Sequence, residues 1–397
     1  MNKLIPLLLI LFCWGCAQNP VTQQSELHWV SQKQEIKMGN QHYPLAQQMN
    51  GGTYTLDPEL TAYVQEVGQK LAKVSDRNAL PFEFVVLNDS IPNAWALPGG
   101  KIAVNRGLLI HLNSEAELAA VLGHEITHAT ARHGAKAMER QLALGAGLGV
   151  VGAIIGAKTD NEGMQDLAQA GALLSATLIT LKYSREAERE ADHYGIHTMV
   201  KAGYDPQAAV DLQKTFIKLS ESKSQHWLKG LLASHPPSQE RAKRNAFLAT
   251  TLGSPALNWH QERYQQKIAF LKKQQPAYDA FDEGRKAYEK KEYANAFTQA
   301  EKAIQLEPKE GLFYALKGDV LVAQHHPEQA ISWYSQAIER HPKYFYYYLQ
   351  RGLAYEKTKH YKQAKQDLKQ AQILLPTEMA QQALTRIGLN TLLGGGS

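Results

Sequence analysis

His124-Glu125-Ile126-Thr127-His128 places two imidazoles and a carboxylate within five residues. Residues four apart on a helix stand about one turn apart on one face, so the two histidines can grip a single metal ion. Glu125, beside the first of them, is set to take the proton of an attacking water. The chemistry implied is hydrolysis. A chance match is the alternative, and the flanking residues weigh against it. Ser114 and Glu117 form an S-x-x-E capping box, and Ala116, Leu118, Ala119, Ala120, Val121 and Leu122 then read as a buried helix running into the motif.

Such a site needs a third ligand. One H-E-x-x-H type supplies a third histidine six residues after the second. Here position 134 is Gly, and the nearby His133 is one place early. His133 should point off the metal face, as a structural or surface residue. A carboxylate from a later helix is the best remaining ligand. The charged run Tyr183 to Asp192 reads as helix, and a solvated helix face is its plain alternative. Within it Glu188 and Asp192 are four apart: one carboxylate for the metal, the other to orient a ligand histidine. Glu186 and Glu190 lie off that face. The only cysteines, Cys13 and Cys16, fall in the first sixteen residues, so a thiolate metal site and a disulfide framework are excluded.

With 397 residues and 44% hydrophobic content, the chain has room for two domains or more. A net charge of +5 with no long basic run argues against a nucleic-acid partner. Lys3 followed by the apolar run Leu4 to Trp14 reads as a signal peptide over 1–16, too short for a good membrane span. Gly15-Cys16 resembles a bacterial lipoprotein signal with Cys16 as the lipidated residue. Cys13 stands where Leu is usual and Trp14 is bulky for its place, so an ordinary secretory signal is the alternative. Ala17 is not the Asp that resembles an inner-membrane retention signal. The expected location is therefore the periplasm, anchored by lipid to the outer membrane or, alternatively, soluble.

Residues 17–30 are polar and read as a tether. A helix is expected from Ser31 to about Met49, ended by Gly51-Gly52. A second, capped by Asp57 with Pro58 at its first position, should run to about Val74. Phe82 to Leu87 and Lys101 to Val104 read as two strands, with a turn at Pro98-Gly99-Gly100 between them. The stretch Asn93-Ala94-Trp95 would lie at the edge of such a sheet and could pair with an extended peptide; otherwise it is scaffold. The uncharged, glycine-rich 142–157 and the apolar 167–181 are expected as helices over the active site, linked by a mobile lid at 158–165. Dipping into a membrane is the alternative for 142–157.

Together His124 to His128, Ser184-Arg185-x-x-Glu188-x-x-x-Asp192, Asn93 to Gly100 and Ser234-His235-Pro236 resemble the zinc metallopeptidases related to the CAAX prenyl endopeptidase. The match is to their periplasmic, repeat-bearing branch and covers about residues 25 to 250. The resemblance implies one Zn2+ held by His124, His128 and Glu188, with Glu125 as general base and Asp192 behind the ligands. It also implies that His235 lies near the metal, either as a fourth, inhibitory ligand or as a transition-state donor, with Arg241 following it. Without the resemblance His235 would be a loop histidine before Pro236-Pro237. By the same route the substrates would be misassembled outer-membrane β-barrel proteins, and the partner their assembly machinery.

Residues 258–276 read as a linker helix. Beyond it the sequence repeats every 34 residues: Gly284, Gly318 and Gly352; Ala296, Ala330 and Ala364; Ala303, Ala337 and Ala371; Pro308, Pro342 and Pro376. This is the tetratricopeptide pattern, with small residues where paired helices touch. The units are 277–310, 311–344 and 345–378, with a capping helix to 393. Most rings of Tyr344 to Tyr348 should pack between helices, leaving one or two for a groove.

The expected fold is mainly α: a zincin-like H-E-x-x-H domain with a small β-sheet over 31–257, then a helical solenoid. The expected function is a zinc endopeptidase of the cell envelope whose repeats recruit substrate or the assembly machinery. The alternatives are a chaperone or assembly adaptor in which proteolysis is secondary, and an intramembrane protease built on the Gly-rich helix.

Overall fold

The computed structural model describes residues 16–143, 171–180, 182–221, 235–253 and 258–393. The leader before Cys16, nearly all of the glycine-rich 142–157, the 158–165 link and Ser234 lie outside the described residues. So do the expectations of lipidation, membrane dipping and a lid. Among the described residues no helix is long and apolar enough to cross a membrane. Among the described residues the chain forms two units: one runs to Pro44, resumes at Glu59 and, apart from 171–173, ends at Ile268; the other takes Leu45–Pro58, 171–173 and the chain from Ala269 on.

The first unit opens with strands β1 (Cys16–Gln18) and β2 (Ser25–Leu27), which pair antiparallel. This corrects the reading of 17–30 as a tether. The Asn19 side chain closes the turn by accepting from the amides of Val21 and Thr22, and its Nδ2 donates to Ala131 O at 2.9 Å. The Glu139 carboxylate then accepts from the amides of Trp29 and Val30. Side-chain bonds to distant residues therefore order a stretch whose own composition is loop-like.

Helices α1 (Gln32–Met49) and α2 (Pro58–Ala72) follow as expected, and α2 buries the stripe Leu60, Tyr63, Val64, Val67 and Leu71. The sheet has three strands, not two: β3 (Glu83–Leu87), β4 (Ala94–Leu97) and β5 (Lys101–Asn105), in the order β3-β5-β4. β3 and β5 are parallel, and the hairpin is β4–β5, turned at Gly99 and Gly100 with φ of +80° and +84°. Those positive φ values favour glycine. β4 pairs with no other described strand, so its outer side is an open edge.

After the short α3 (Arg106–Leu109) comes α4 (Glu115–Thr130), the helix of the H-E-x-x-H motif. Ser114 Oγ caps it by accepting from Glu117 N at 3.2 Å; the Glu117 carboxylate reaches past Ser114 to the amide of Asn113. Its residues are apolar on nearly every side because it packs on β4, β5 and four further helices. Glu115 is buried in its first turn, where its carboxylate accepts from the hydroxyls of Tyr63 and Tyr204 and pairs with Arg263.

α5 (His133–Ala143) continues the chain. Of the expected helix at 167–181, residues 171–179 are helical. α6 (Arg185–Lys201) buries Glu188, Ala191, Asp192, Gly195, Ile196 and Met199 on one face. α7 (Gln207–Glu221), α8 (Gln239–Leu252) and α9 (Gln261–Lys267) complete the unit. The expected linker divides here. Tyr264 on α9 is fully buried and donates to Leu109 O at 2.6 Å, so 258–268 belongs with the first unit.

The second unit is a run of helix pairs: α10 (Ala269–Glu289) with α11 (Tyr293–Leu306), α12 (Gly311–Ala323) with α13 (Pro327–Arg340), and α14 (Phe345–Lys357) with α15 (Tyr361–Leu374), closed by α16 (Glu378–Leu393). The second helix of each pair ends two residues before Pro308, Pro342 or Pro376. The alanine columns are fully buried. Tyr347 is buried, while Tyr346 donates to Asp319.

Helices α4 and α6 cross at close range at Gly123 and Gly195. A Cβ on Gly195 would lie 2.9 Å from both Gly123 C and His124 N. Gly195→Ala should push the helices apart, costing about 1–3 kcal/mol by overpacking and weakening metal binding by about tenfold or more. Thermal melts and competition with a chelator measure both; a variant with wild-type metal affinity would mean the crossing does not set the site.

Candidate metal centre

The crossing fixes how the two helices face each other. Gly123 meets Gly195, His124 meets Asp192, and His128 meets Glu188. Advancing along α4 means retreating along α6, so the helices run antiparallel at the site. His124, His128, Glu188 and His235 each offer one ligand atom, all within 4.8 Å of one another. Glu188 Oε2 is 3.6 Å from His124 Nε2, and Glu188 Oε1 is 3.5 Å from His128 Nε2.

The surrounding hydrogen bonds assign the tautomers. Asp192 is buried, which would raise its carboxyl; the Arg241 guanidinium and His124 outweigh burial and hold it below its usual range. Arg241 donates to both Asp192 oxygens at 2.7 Å. The Asp192 carboxylate therefore accepts from His124 Nδ1–H at 3.0 Å, so His124 Nε2 is the nitrogen turned to the cluster. A second chain fixes His128. Glu190, held below its usual range first by its hydrogen bond to His133, accepts from His133 Nε2–H at 3.0 Å. His133 Nδ1 then accepts from His128 Nδ1–H at 2.8 Å, leaving a lone pair on His128 Nε2. The two Nε2 atoms face each other at 3.0 Å, an approach of two lone pairs unless a proton or a metal ion bridges them. That is repulsive unless a cation lies between them, so the donor set fits a metal ion. Two imidazoles and a carboxylate suit zinc.

This changes the reading of two residues. His133 does not join the cluster, as the spacing predicted, but it is buried against His128 and sets its tautomer. Glu190, off the metal face, completes that chain. Tyr183 was another residue without an assigned role; its ring stacks on His128 with centroids 3.9 Å apart.

Glu125 is 3% exposed, and burial raises its carboxyl above the usual range against the pull of His235 and His124. Its Oε2 has no hydrogen-bond partner. His235 lies between Glu125 and the rest of the cluster: Nδ1 is 2.8 Å from Glu188 Oε1 and 3.2 Å from His124 Nε2, while Nε2 is 3.6 Å from Glu125 Oε1. Burial alone would lower this imidazole, but the Glu125 and Glu188 carboxylates outweigh it and raise it above its ordinary value. The position comes from α8. Ser238 caps that helix by accepting from Arg241 N, and Arg241 Nη1 donates back to Pro236 O at 3.2 Å. Arg241 Nη1 also lies 2.8 Å from Glu188 Oε2 as an ion pair without hydrogen-bond alignment, so that oxygen keeps its lone pairs. Ala94, on the open-edged strand β4, lines the same cavity as His124 and Glu125. Asn93 precedes it, its carbonyl accepting from Asn105 N, and the Trp95 side chain is buried.

The profile of peptidase family M48 matches residues 58–245, and a tetratricopeptide repeat profile matches residues 345–372. The beta-barrel assembly-enhancing protease of Yersinia pestis is 35% identical over 178 residues, which are 44% of this chain and 36% of that protein. The mitochondrial metalloendopeptidase OMA1 of Arabidopsis thaliana is 36% identical over 172 residues, 43% of this chain and 32% of the relative. The chain thus spans about a third of the length of each of those two relatives. Metalloprotease YcaL of Escherichia coli (strain K12) is 31% identical over 183 residues, 44% of this chain and 67% of that protein. The region matched by the M48 profile contains the whole cluster with Glu125, Asp192 and Arg241, and by that domain the chain belongs to peptidase family M48, with tetratricopeptide repeats following the peptidase domain.

Proposed function

We propose that this protein is a zinc-dependent endopeptidase of the bacterial cell envelope. The observation that carries the reading is the pair of Nε2 atoms facing each other at 3.0 Å beside Glu188, with a buried, unpartnered carboxylate oxygen of Glu125 next to them. One zinc ion held by His124, His128 and Glu188 would acidify a water and polarise the scissile carbonyl. Glu125 accepts the proton of that water and passes it to the leaving amine, a task suited to a carboxyl raised by burial. Asp192 with Arg241 orients His124, and His133 with Glu190 orients His128. The open edge of β4, around Asn93, Ala94 and Trp95, pairs with an extended substrate and leads it past the base.

His235 restrains this site. Its Nδ1 points at the ligand cluster and its Nε2 at Glu125, so it fills the place that water and substrate need. Relatives named for β-barrel assembly favour misassembled outer-membrane proteins as the substrates. In this reading the repeats recruit those substrates or the assembly machinery. The signal peptide delivers the chain to the periplasm, and a lipid on Cys16 holds it at the outer membrane.

Glu125→Gln should abolish peptide cleavage, by about three orders of magnitude or more, while the protein still binds one zinc. Metal analysis beside a cleavage assay measures this, and retained cleavage would remove Glu125 from the mechanism. His235→Ala should cleave an unfolded outer-membrane protein faster than the parent does. A slower variant would make His235 a participant in catalysis instead of its restraint.

A further inference from the structure

A cavity of about 50 Å³ lies beside the metal cluster, lined on that side by His124 and Glu125. Val121 from α4, Ile196 from α6 and Leu212 and Phe216 from α7 make its walls apolar. Asp192, His235, Arg241 and Asn245 line it as well, and one further polar residue stands among the apolar walls. Gln213 on α7 is only 7% exposed, and its Oε1 has no hydrogen-bond partner. A buried carbonyl oxygen left unpaired is costly, and native proteins seldom keep one without a use. Helical spacing sharpens the point: Ala209, Leu212, Gln213 and Phe216 fall on one buried face, where an apolar residue at 213 would be the default.

The size of the cavity limits what can enter. An engineered cavity of about 150 Å³ holds a benzene ring, so one of this volume holds a group of two or three heavy atoms. The groups that satisfy both the apolar walls and the unpaired Gln213 oxygen are small side chains carrying a hydroxyl. We propose that this cavity receives the substrate side chain next to the scissile bond, and that Gln213 Oε1 accepts a hydrogen bond from a serine or threonine there. Gln213 is then the residue that sets specificity. The inference rests on the endopeptidase reading above.

Threonine and valine have nearly the same shape, so they isolate the hydrogen bond from the fit. The test digests a synthetic peptide library with the full-length, zinc-loaded protein and with Gln213→Met, and locates the cut bonds by mass spectrometry. kcat/KM is then measured on a peptide pair differing only in Thr or Val at the selected position. The wild type should favour Thr by about tenfold or more. Gln213→Met should bring the two within about twofold by losing the Thr substrate, with Val cleavage and thermal stability kept. Cleavage without a hydroxyl preference, or an unchanged preference in Gln213→Met, would overturn the assignment and leave the endopeptidase reading intact; the cavity would then hold only water. No cleavage of any peptide by either zinc-loaded protein would overturn the endopeptidase reading and this inference with it.

Discussion

The contact between Gly123 and Gly195 governs the first unit. Helices bearing ordinary side chains pack with axes about 8–10 Å apart. Here backbone meets backbone, and a single added methyl group on either glycine would overlap the other helix. Only at that approach do side chains as short as Asp192 and Glu188 reach the imidazoles of His124 and His128. The antiparallel run of α4 against α6 then pairs each ligand histidine with one carboxylate of the i, i+4 pair. The caps at Ser114 and Ser184 start each helix in the register this needs, and the buried Glu115 anchors the first turn of α4 to three other elements.

Everything around the crossing serves to hold charge in a dry place. Asp192 stays ionised because Arg241 grips both its oxygens, and Glu188 stays ionised because three imidazoles outweigh its burial. Glu125 is the exception. It has no guanidinium partner, and burial raises it. Two carboxylates in one pocket are thus driven in opposite directions by their neighbours, as the proposed roles of ligand and base require. Arg241 also links the parts, since one guanidinium touches Asp192, Glu188 and the carbonyl of Pro236, next to His235. A movement of α8 would therefore be felt at the ligands and at His235 together.

Much of this was legible in the sequence because it is written in local spacing. The H-E-x-x-H motif, the Ser114 cap, the Glu188/Asp192 pair and the 34-residue columns all follow from helical periodicity. Other features depend on partners far away in the chain. Asn19 bonds to Ala131, so a polar stretch became a hairpin. Strand β4 has only four residues next to Pro98-Gly99-Gly100, and its apolar run reads as part of a turn until β5 pairs with it. His133 and Glu190 were set aside because neither faces the metal. They act on the other nitrogen of His128, a route that ligand spacing does not test. The partner role of Gly195 was equally hidden, since a helical glycine gives no hint of which helix it touches. His235 was visible only through the family resemblance.

The proposed zinc site requires that the imidazoles of His124 and His128 and the Glu188 carboxylate converge on one cation. X-ray absorption at the zinc edge of the purified full-length protein tests this most directly. The expected spectrum shows one zinc per chain in a four-coordinate nitrogen and oxygen environment at about 2.0–2.2 Å, with multiple scattering from at least two imidazoles that is lost in step with bound zinc in Glu188→Ala. A zinc-free protein after zinc loading, or zinc bound with no imidazole scattering, would contradict it.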